Sequence, residues 1–405
     1  MTVEVINFGC RLNIAEGEAI RTAASAQTDL VVINSCAVTN EAERQTAKAV
    51  RRAARERPDA RIIVTGCAAQ INPARWAEMP EVSAVLGNRE KRLGSSFFKP
   101  GVAVTDIMAT TIRPDPVVSG AAHARAFVEI QTGCDHRCTF CIIPFGRGNS
   151  ASATSEAVIA TIRAAVGRGQ QEVILTGVDL TSYDGGLAPL ISRILRDVSD
   201  LPRLRLSSLD PAEIDLPLFD LLTTQPRLMP HIHLSLQSGD DMILKRMKRR
   251  HSRSQAIDLV HRLRSARPEI AIGADLIAGF PTESDAMFAN SRAIVDDCDI
   301  VFGHIFPYSA RNGTPAARMP LVPSAVAKLR AADLRAAVAT RKSAWLQAQV
   351  GTTVRVLVER NGISGHAENF AQISLPPSTP GSIQTVHIAA SSGETLVADA
   401  LALAA

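Results

Sequence analysis

The stretch GCDHRCTFC, Gly133 to Cys141, places Cys134, Cys138 and Cys141 at spacings of four and three residues in a chain with only seven cysteines. Thiolates are soft metal ligands, and where the surroundings keep thiols reduced, clustered cysteines read as a metal centre or catalytic thiols rather than a disulfide framework. Structural zinc takes four ligands, commonly from paired C-x2-C knuckles. Here the fourth would be His136 or His123, neither at a standard spacing. A [4Fe–4S] cubane is served by three thiolates and keeps its fourth iron open for a small-molecule chelate. The spacing therefore favours iron–sulfur chemistry, with zinc as the alternative. Cys10, Cys36 and Cys67 form a second set, each just after a short apolar run (VEVINF, DLVVINS, RIIVTG). In a parallel sheet the carboxyl ends of neighbouring strands converge on one crevice, so these thiols can meet; the alternative is three buried cysteines acting as small hydrophobes. Cys298 belongs to neither set and reads as a buried structural thiol.

The elements that must position these sets follow from periodicity. With 405 residues, 46% of them hydrophobic, the chain is expected to form two or three domains. Over residues 1–115 short strands alternate with polar helical stretches such as NEAERQTAKAVRRAARER, which predicts βαβ units around a parallel sheet. TTIRPDPVVSGAAHAR reads as a linker. Over residues 120–345 six strand candidates recur between helical stretches: AFVEIQT, EVILTGV, RLRLSSL, HIHLSLQ, AIGADLIAG and IVFGHIFPY. That cadence predicts a partial (β/α)6 barrel, with the Cys134 loop leaving the first strand at the rim where barrels hold their chemistry. Residues 346–405 change to short alternating strands (TVRVLVER, FAQISLP, IQTVHIAA), expected to close a small β-barrel. The fold class is thus α/β, a parallel-sheet domain and a partial barrel followed by a small all-β domain.

C-x3-C-x2-C with Phe140 before its last cysteine resembles the signature of radical S-adenosylmethionine (SAM) enzymes, whose fold is such a partial barrel. The resemblance implies that SAM chelates the open iron and is split by one electron to a 5′-deoxyadenosyl radical. FGCRLN, INSCAVTNEAERQTAK, VTGCAAQ and AVLGNREK resemble the amino-terminal domain of methylthiotransferases, which implies a second [4Fe–4S] cluster on Cys10, Cys36 and Cys67 presenting the sulfur to be donated. The carboxy-terminal segment is similar to the TRAM RNA-binding module. Within the family, GCRLN and CAVTNEAER look like the threonylcarbamoyladenosine tRNA branch, rather than the isopentenyladenosine branch (GCQMN-like) or the ribosomal-protein branch (GCPKN-like). The implied reaction adds a methylthio group to C2 of N6-threonylcarbamoyladenosine at position 37 of tRNA. The strand-end motifs LTGVDLTSYD, RLSSLDP, HLSLQSGDD and DLIAGFP place Gly177, Ser208, Asp210, Gln237, Asp275 and Gly279 as SAM-binding candidates, with Phe140 against the adenine. Gly177 and Gly279 read equally as backbone turns, and Gln237 as a strand-end hydrogen bond. Three departures stand out: only 25 residues between Cys10 and Cys36, fewer than is usual in the family, GFPTESD where a GFPGET-like form is usual, and Asp210 where Glu is usual.

Net charge is only +4, so an RNA partner must be argued from local runs. Arg44, Lys48, Arg51, Arg52 and Arg55 share one helix face, which reads as an RNA surface or simply as a solvated face. LKRMKRRHSR, with Arg249 and Arg250, is a denser cluster suited to phosphates. Arg355, Arg360, His366, Asn369 and Phe370 are the candidates of the last domain, Phe370 for stacking on an unpaired base or as core. Expected partners are tRNA bearing threonylcarbamoyladenosine, an electron donor such as flavodoxin or ferredoxin, and a sulfur source. Without a signal-like or membrane-spanning run, a cytoplasmic location and no membrane partner are expected. Three alternatives stay open: the same chemistry on isopentenyladenosine tRNA, the same chemistry on a ribosomal-protein side chain, and a non-catalytic RNA-binding protein stabilised by metal.

Overall fold

A computed structural model describes residues 3–117 and 124–399, so His123 and part of the expected linker lie outside the described residues. Five parallel strands in sequential order form the first sheet: β1 (Glu4–Asn7), β2 (Leu30–Ser35), β3 (Arg61–Gly66), β4 (Ala84–Leu86) and β5 (Gly101–Ala103). The two-residue period of a strand sends Val31 and Ile33 of β2 to one core, with Val50 and Trp76, and Leu30 and Val32 to the other, with Ile20 and Phe97. Helix α1 (Arg11–Ala23) and helix α2 (Asn40–Glu56) cover the sheet, α2 starting where the Thr39 side chain accepts from the Ala42 amide. Only six residues, 24–29, separate α1 from β2, which accounts for the short interval between Cys10 and Cys36.

The six expected barrel strands are all present. β6 (Ala126–Glu129) leads to the short ladder of β7 (Gln131–Thr132) and β8 (Ala151–Ser152), which ties down the base of the cysteine loop. β9 (Glu172–Thr176), β10 (Arg203–Leu206), β11 (His231–Gln237), β12 (Ala271–Ala278) and β13 (Ile300–Pro307) follow, as two three-stranded parallel halves, β10-β9-β6 and β11-β12-β13. Isolated bridges from Leu204 to Leu228 and from Leu209 to Leu234 join the halves. Outward positions such as Val173, Leu175, Leu204 and Leu206 pack under the helices in the largest apolar cluster. Their alternates, among them Glu172, Arg203, Arg205, His231 and His233, make the barrel interior polar.

The long helix Ser324–Gln347 leads into a closed barrel of β14 (Thr353–Val358), β15 (Ser364–Ala367), β16 (Gln372–Ser374), β17 (Ile383–Ser391) and β18 (Leu396–Ala398). Two of these, β15 and β18, went unseen in the sequence because each is short and carries almost no apolar alternation. The small barrel docks on the strand starts of the large one: Arg203 Nη2 donates to the Arg355 carbonyl at 2.8 Å and Arg205 Nη1 to the Glu368 carbonyl at 3.1 Å. Among the described residues no helix is long and apolar enough to cross a membrane.

Candidate active site formed by two cysteine triads

Cys10 stands at the amino end of α1, Cys36 directly after β2, and Cys67 opens the short helix Cys67–Ile71 directly after β3. Strand order alone brings them together, since β1, β2 and β3 are neighbours. Two glycines let the backbone close: a Cβ on Gly9 would lie 2.8 Å from Cys36 Sγ, and one on Gly66, at φ +91°, would lie 2.4 Å from the Ser35 carbonyl oxygen. Cys36 and Cys67 are buried, whereas Cys10 is open to solvent inside a recess of protein. Burial pushes the Cys36 thiol up to about 12, and the neighbouring Cys67 adds to it. Burial also raises Cys10, with Arg147 pulling the other way. Asn13, the last residue of GCRLN, donates to the Ser35 carbonyl at 3.2 Å, and Asn88 Nδ2 lies 4.0 Å from Cys67 Sγ.

The second triad lies in the loop between β7 and β8. Gly133, at φ +70°, has no room for a Cβ, which would sit 1.9 Å from the Asn149 carbonyl oxygen. The loop is pinned further by the Cys134 amide to the Gly148 carbonyl at 3.1 Å and by Thr139 Oγ1 to the Arg246 carbonyl at 2.8 Å. Burial raises Cys134 and Cys141 to about 12 each; Asp179 adds to the first, and Cys138 and Cys67 to the second. Cys67 belongs to the other triad. The one-turn helix Ile143–Arg147 carries the loop onto the amino-terminal sheet, where Ile142 joins the core that holds Cys67 and a Cβ on Gly146 would be 3.1 Å from Cys67 Cβ. The two triads therefore lie close together, with Cys67 the thiol of the first set beside the second.

A family model described as the radical SAM superfamily matches residues 128–293, and one described as uncharacterized protein family UPF0004 matches residues 2–87. The threonylcarbamoyladenosine tRNA methylthiotransferase MtaB of Rickettsia prowazekii (strain Madrid E) is 46% identical over 384 residues, 92% of this chain and 91% of that protein. The chain belongs to the methylthiotransferase family of radical SAM enzymes. The tRNA-2-methylthio-N(6)-dimethylallyladenosine synthase of Erythrobacter litoralis is 33% identical over 389 residues, 89% of this chain and 87% of that protein. In fold, the chain is similar to the radical SAM methyltransferase TsrM from Kitasatospora setae with cobalamin and a [4Fe-4S] cluster bound, at a TM-score of 0.59 and 13% identity, covering 83% of this chain and 91% of that one.

The cofactors of this methylthiotransferase are SAM and [4Fe–4S] clusters, and the residues present fit them. Each set offers three soft thiols and a nearby guanidinium to offset an anionic centre: Arg249 Nη1 is 3.7 Å from Cys138 Sγ, and Arg147 is within electrostatic reach of Cys10 and Cys67. The grouping that favours zinc is weaker, because His136 joins Cys134 and Asp179 but neither of the other two cysteines.

Gly177, Ser208, Gln237 and Gly279 stand at or just past strand ends, while Asp275 lies within β12. Gln237, at φ +70°, follows a bulge in β11, and Asp275 Oδ1 lies 3.0 Å from His233 Nε2 and 3.1 Å from His304 Nδ1. Gly177 faces Gln131, Gly279 sits at φ +70° against Ala327, and Ser208 is half-buried between them in sequence. Phe140 meets Phe280 edge-on at 6.4 Å. Asp210 is already engaged: Arg249 Nη2 is 2.9 Å and Arg250 Nη2 3.1 Å from its Oδ2.

That engagement turns Arg249 inward, its side chain 7% exposed, while Arg250 stays at the surface. Phe370 is not a free stacking face either. Its ring lies 4.6 Å from that of His366 and 4.9 Å from that of His231, with Arg205 4.9 Å away, at the joint between the two barrels. Asn369 is tied to Gln349 at 2.8 Å. Arg355, paired loosely with Glu368, and Arg360 are exposed, as are Arg44, Lys48, Arg51, Arg52 and Arg55, the last four beside a groove of about 400 Å³. Sequence reasoning missed Asn13, Glu16, Asn88, Lys91 and Arg147, although the motifs GCRLN and GNREK contain three of them.

Proposed function

We propose that this chain is a tRNA methylthiotransferase that attaches a methylthio group to C2 of N6-threonylcarbamoyladenosine at position 37. The observation that carries this reading is the closeness of the two triads, in a chain 46% identical to a protein of that name over nearly its whole length. Cys134, Cys138 and Cys141 would hold the cluster that binds SAM; Cys10, Cys36 and Cys67 would hold the other. When bound, these groups supply the radical and the sulfur that replacing an aromatic C–H bond demands.

The chain's own residues bind and orient. Phe140, Gly177, Ser208, Gln237, Asp275 and Gly279 shape the SAM pocket at the barrel rim. Asp210 acts on it through Arg249, holding that guanidinium beside Cys138. The exposed basic face of α2, with Arg250, Arg355 and Arg360, meets tRNA phosphates. His366, Asn369 and Phe370 position the small barrel for RNA. The enzyme works in the cytoplasm, reduced by a flavodoxin or ferredoxin and resupplied by a separate sulfur source.

The test joins metal analysis to nucleoside analysis. Anaerobically reconstituted protein should hold about eight irons, falling to about four in Cys134→Ala/Cys138→Ala/Cys141→Ala. A strain lacking the gene should lose 2-methylthio-N6-threonylcarbamoyladenosine from its tRNA hydrolysates. Unchanged tRNA with loss of a ribosomal-protein modification, or stoichiometric zinc without iron, would sink the reading.

A further inference from the structure

Arg11 opens α1 one residue after Cys10, and its guanidinium reaches into the polar interior of the barrel, 5.2 Å from the centroid of the Phe370 ring. It is half-buried and, among the described residues, makes neither an ion pair nor a hydrogen bond. Arg205 and Arg125 are its cationic neighbours, with Glu172 the carboxylate among them. Glu172 is fully taken. It is buried 3.0 Å from Arg125 Nε, 3.0 Å from Arg205 Nη2 and 3.8 Å from Arg203 Nη1.

Glu359, the other nearby carboxylate, is held by Arg125 at 2.6 Å. Around Glu172 and Glu359 the interior thus sets Arg11, Arg125, Arg203 and Arg205, four cations, against two anions; the adjoining pair of Arg355 and Glu368 adds one of each, and Asp275, elsewhere in the interior, is held by His233 and His304. His231 cannot supply the missing anion and adds no cation, since burial and Arg205 keep it neutral. Uncompensated positive charge in a low-dielectric interior is costly unless a ligand brings negative charge.

We propose that Arg11 is the binding residue for the threonyl carboxylate of the substrate nucleoside. This rests on the functional reading above and adds how the N6 substituent is recognised. A guanidinium offers a carboxylate two parallel hydrogen bonds, and none of Arg11's donors is committed elsewhere. Arg11 follows Cys10 directly in the chain, and in the substrate the carboxylate hangs from the nitrogen on C6 while the reacting C2 lies across N1 of the same ring. A neutral N6 substituent would leave the guanidinium unpaired, so the same residue selects against it.

The experiment measures binding of fluorescent anticodon stem-loops carrying either N6-threonylcarbamoyladenosine or its carboxyl methyl ester at position 37 to the reconstituted wild type, Arg11→Gln and Arg11→Lys. Iron per chain is counted for each. The wild type should prefer the acid by about tenfold or more, Arg11→Gln should bind both alike at the ester's affinity, and Arg11→Lys should keep part of the preference. Equal binding of acid and ester by the wild type, or an undiminished preference in Arg11→Gln, overturns the proposal. Should Arg11→Gln fail to load iron, the acid-to-ester ratio of the wild type and Arg11→Lys decides. Methylthiolation of the acid stem-loop by the wild type is scored separately: product without discrimination defeats this inference alone, and no product defeats the functional reading.

Discussion

Arg147 belongs to the barrel and Glu16 to helix α1 of the amino-terminal domain, and their contact ties the two triads' domains together. Arg147 Nη1 lies 2.9 Å from Glu16 Oε1, Nη2 2.9 Å from Oε2 and 2.6 Å from Asn13 Oδ1, while Lys91 Nζ lies 2.8 Å from Glu16. Arg147, Glu16 and Lys91 are each at most 2% exposed at the side chain. Breaking a buried pair from one side costs about 3–5 kcal/mol, because the remaining charge is stranded. Arg147→Met leaves Glu16 with Lys91 and, at 3.4 Å, with Arg92, so the loss should fall near the lower end, about 3 kcal/mol. Glu16→Gln strands two cations and should cost about 5 kcal/mol. The double variant should cost about 3 kcal/mol less than the sum, since each change removes the partner the other leaves behind.

The assay is urea unfolding of the metal-free protein in a Trp345→Phe background, where the buried Trp76 reports the amino-terminal core. Additivity within about 0.5 kcal/mol would refute the coupling. A pH arm gives the sign. Burial alone would raise Glu16, but Arg147 and Lys91 outweigh it and hold the carboxyl well below its ordinary 4.5. A depressed folded value means the stabilisation is complete above pH 4.5 and is lost as pH falls below it, so Glu16→Gln should flatten that acid limb.

Gly66→Ala puts a Cβ into the Ser35 backbone and should empty the amino-terminal triad, lowering iron from about eight to about four per chain while the barrel cluster survives; a full complement of iron would contradict the geometry. Thr282 holds φ +68° at the position where GFPGET-like motifs carry glycine. Thr282→Gly should therefore stabilise the barrel by about 1 kcal/mol in thermal melts, and a lower melting temperature would count against strain there. Arg51→Glu/Arg55→Glu should weaken tRNA binding and reduce the slope of log K against log salt by about 1 for each phosphate no longer neutralised; an unchanged slope would mean that this face is only solvated.

The barrel was legible because six apolar strands recur with helices between them, and both cysteine sets were legible because thiols placed after strands have few other uses. Arg249 reads as surface because it is a charge in a polar run, and Phe370 reads equally as a stacking face or as core. Here Asp210 and the facing barrel draw them inward. Pairing across such distances in the chain leaves no local period to detect.

The sequence by itself determined the chemistry on offer: two sets of three thiols, the glycines that let them close, and the alternation that builds a sheet and a partial barrel. Those depend on residue type and on neighbours a few positions away. Only the tertiary structure decided that Cys141 and Cys67, far apart in the chain, come close together, that Glu16 and Arg147 tie their domains to each other, and that Arg11 enters the barrel with, among the described residues, no ion pair. Burial and charge balance are properties of the assembled interior, set by whichever distant groups arrive there, and no stretch of the chain carries them alone.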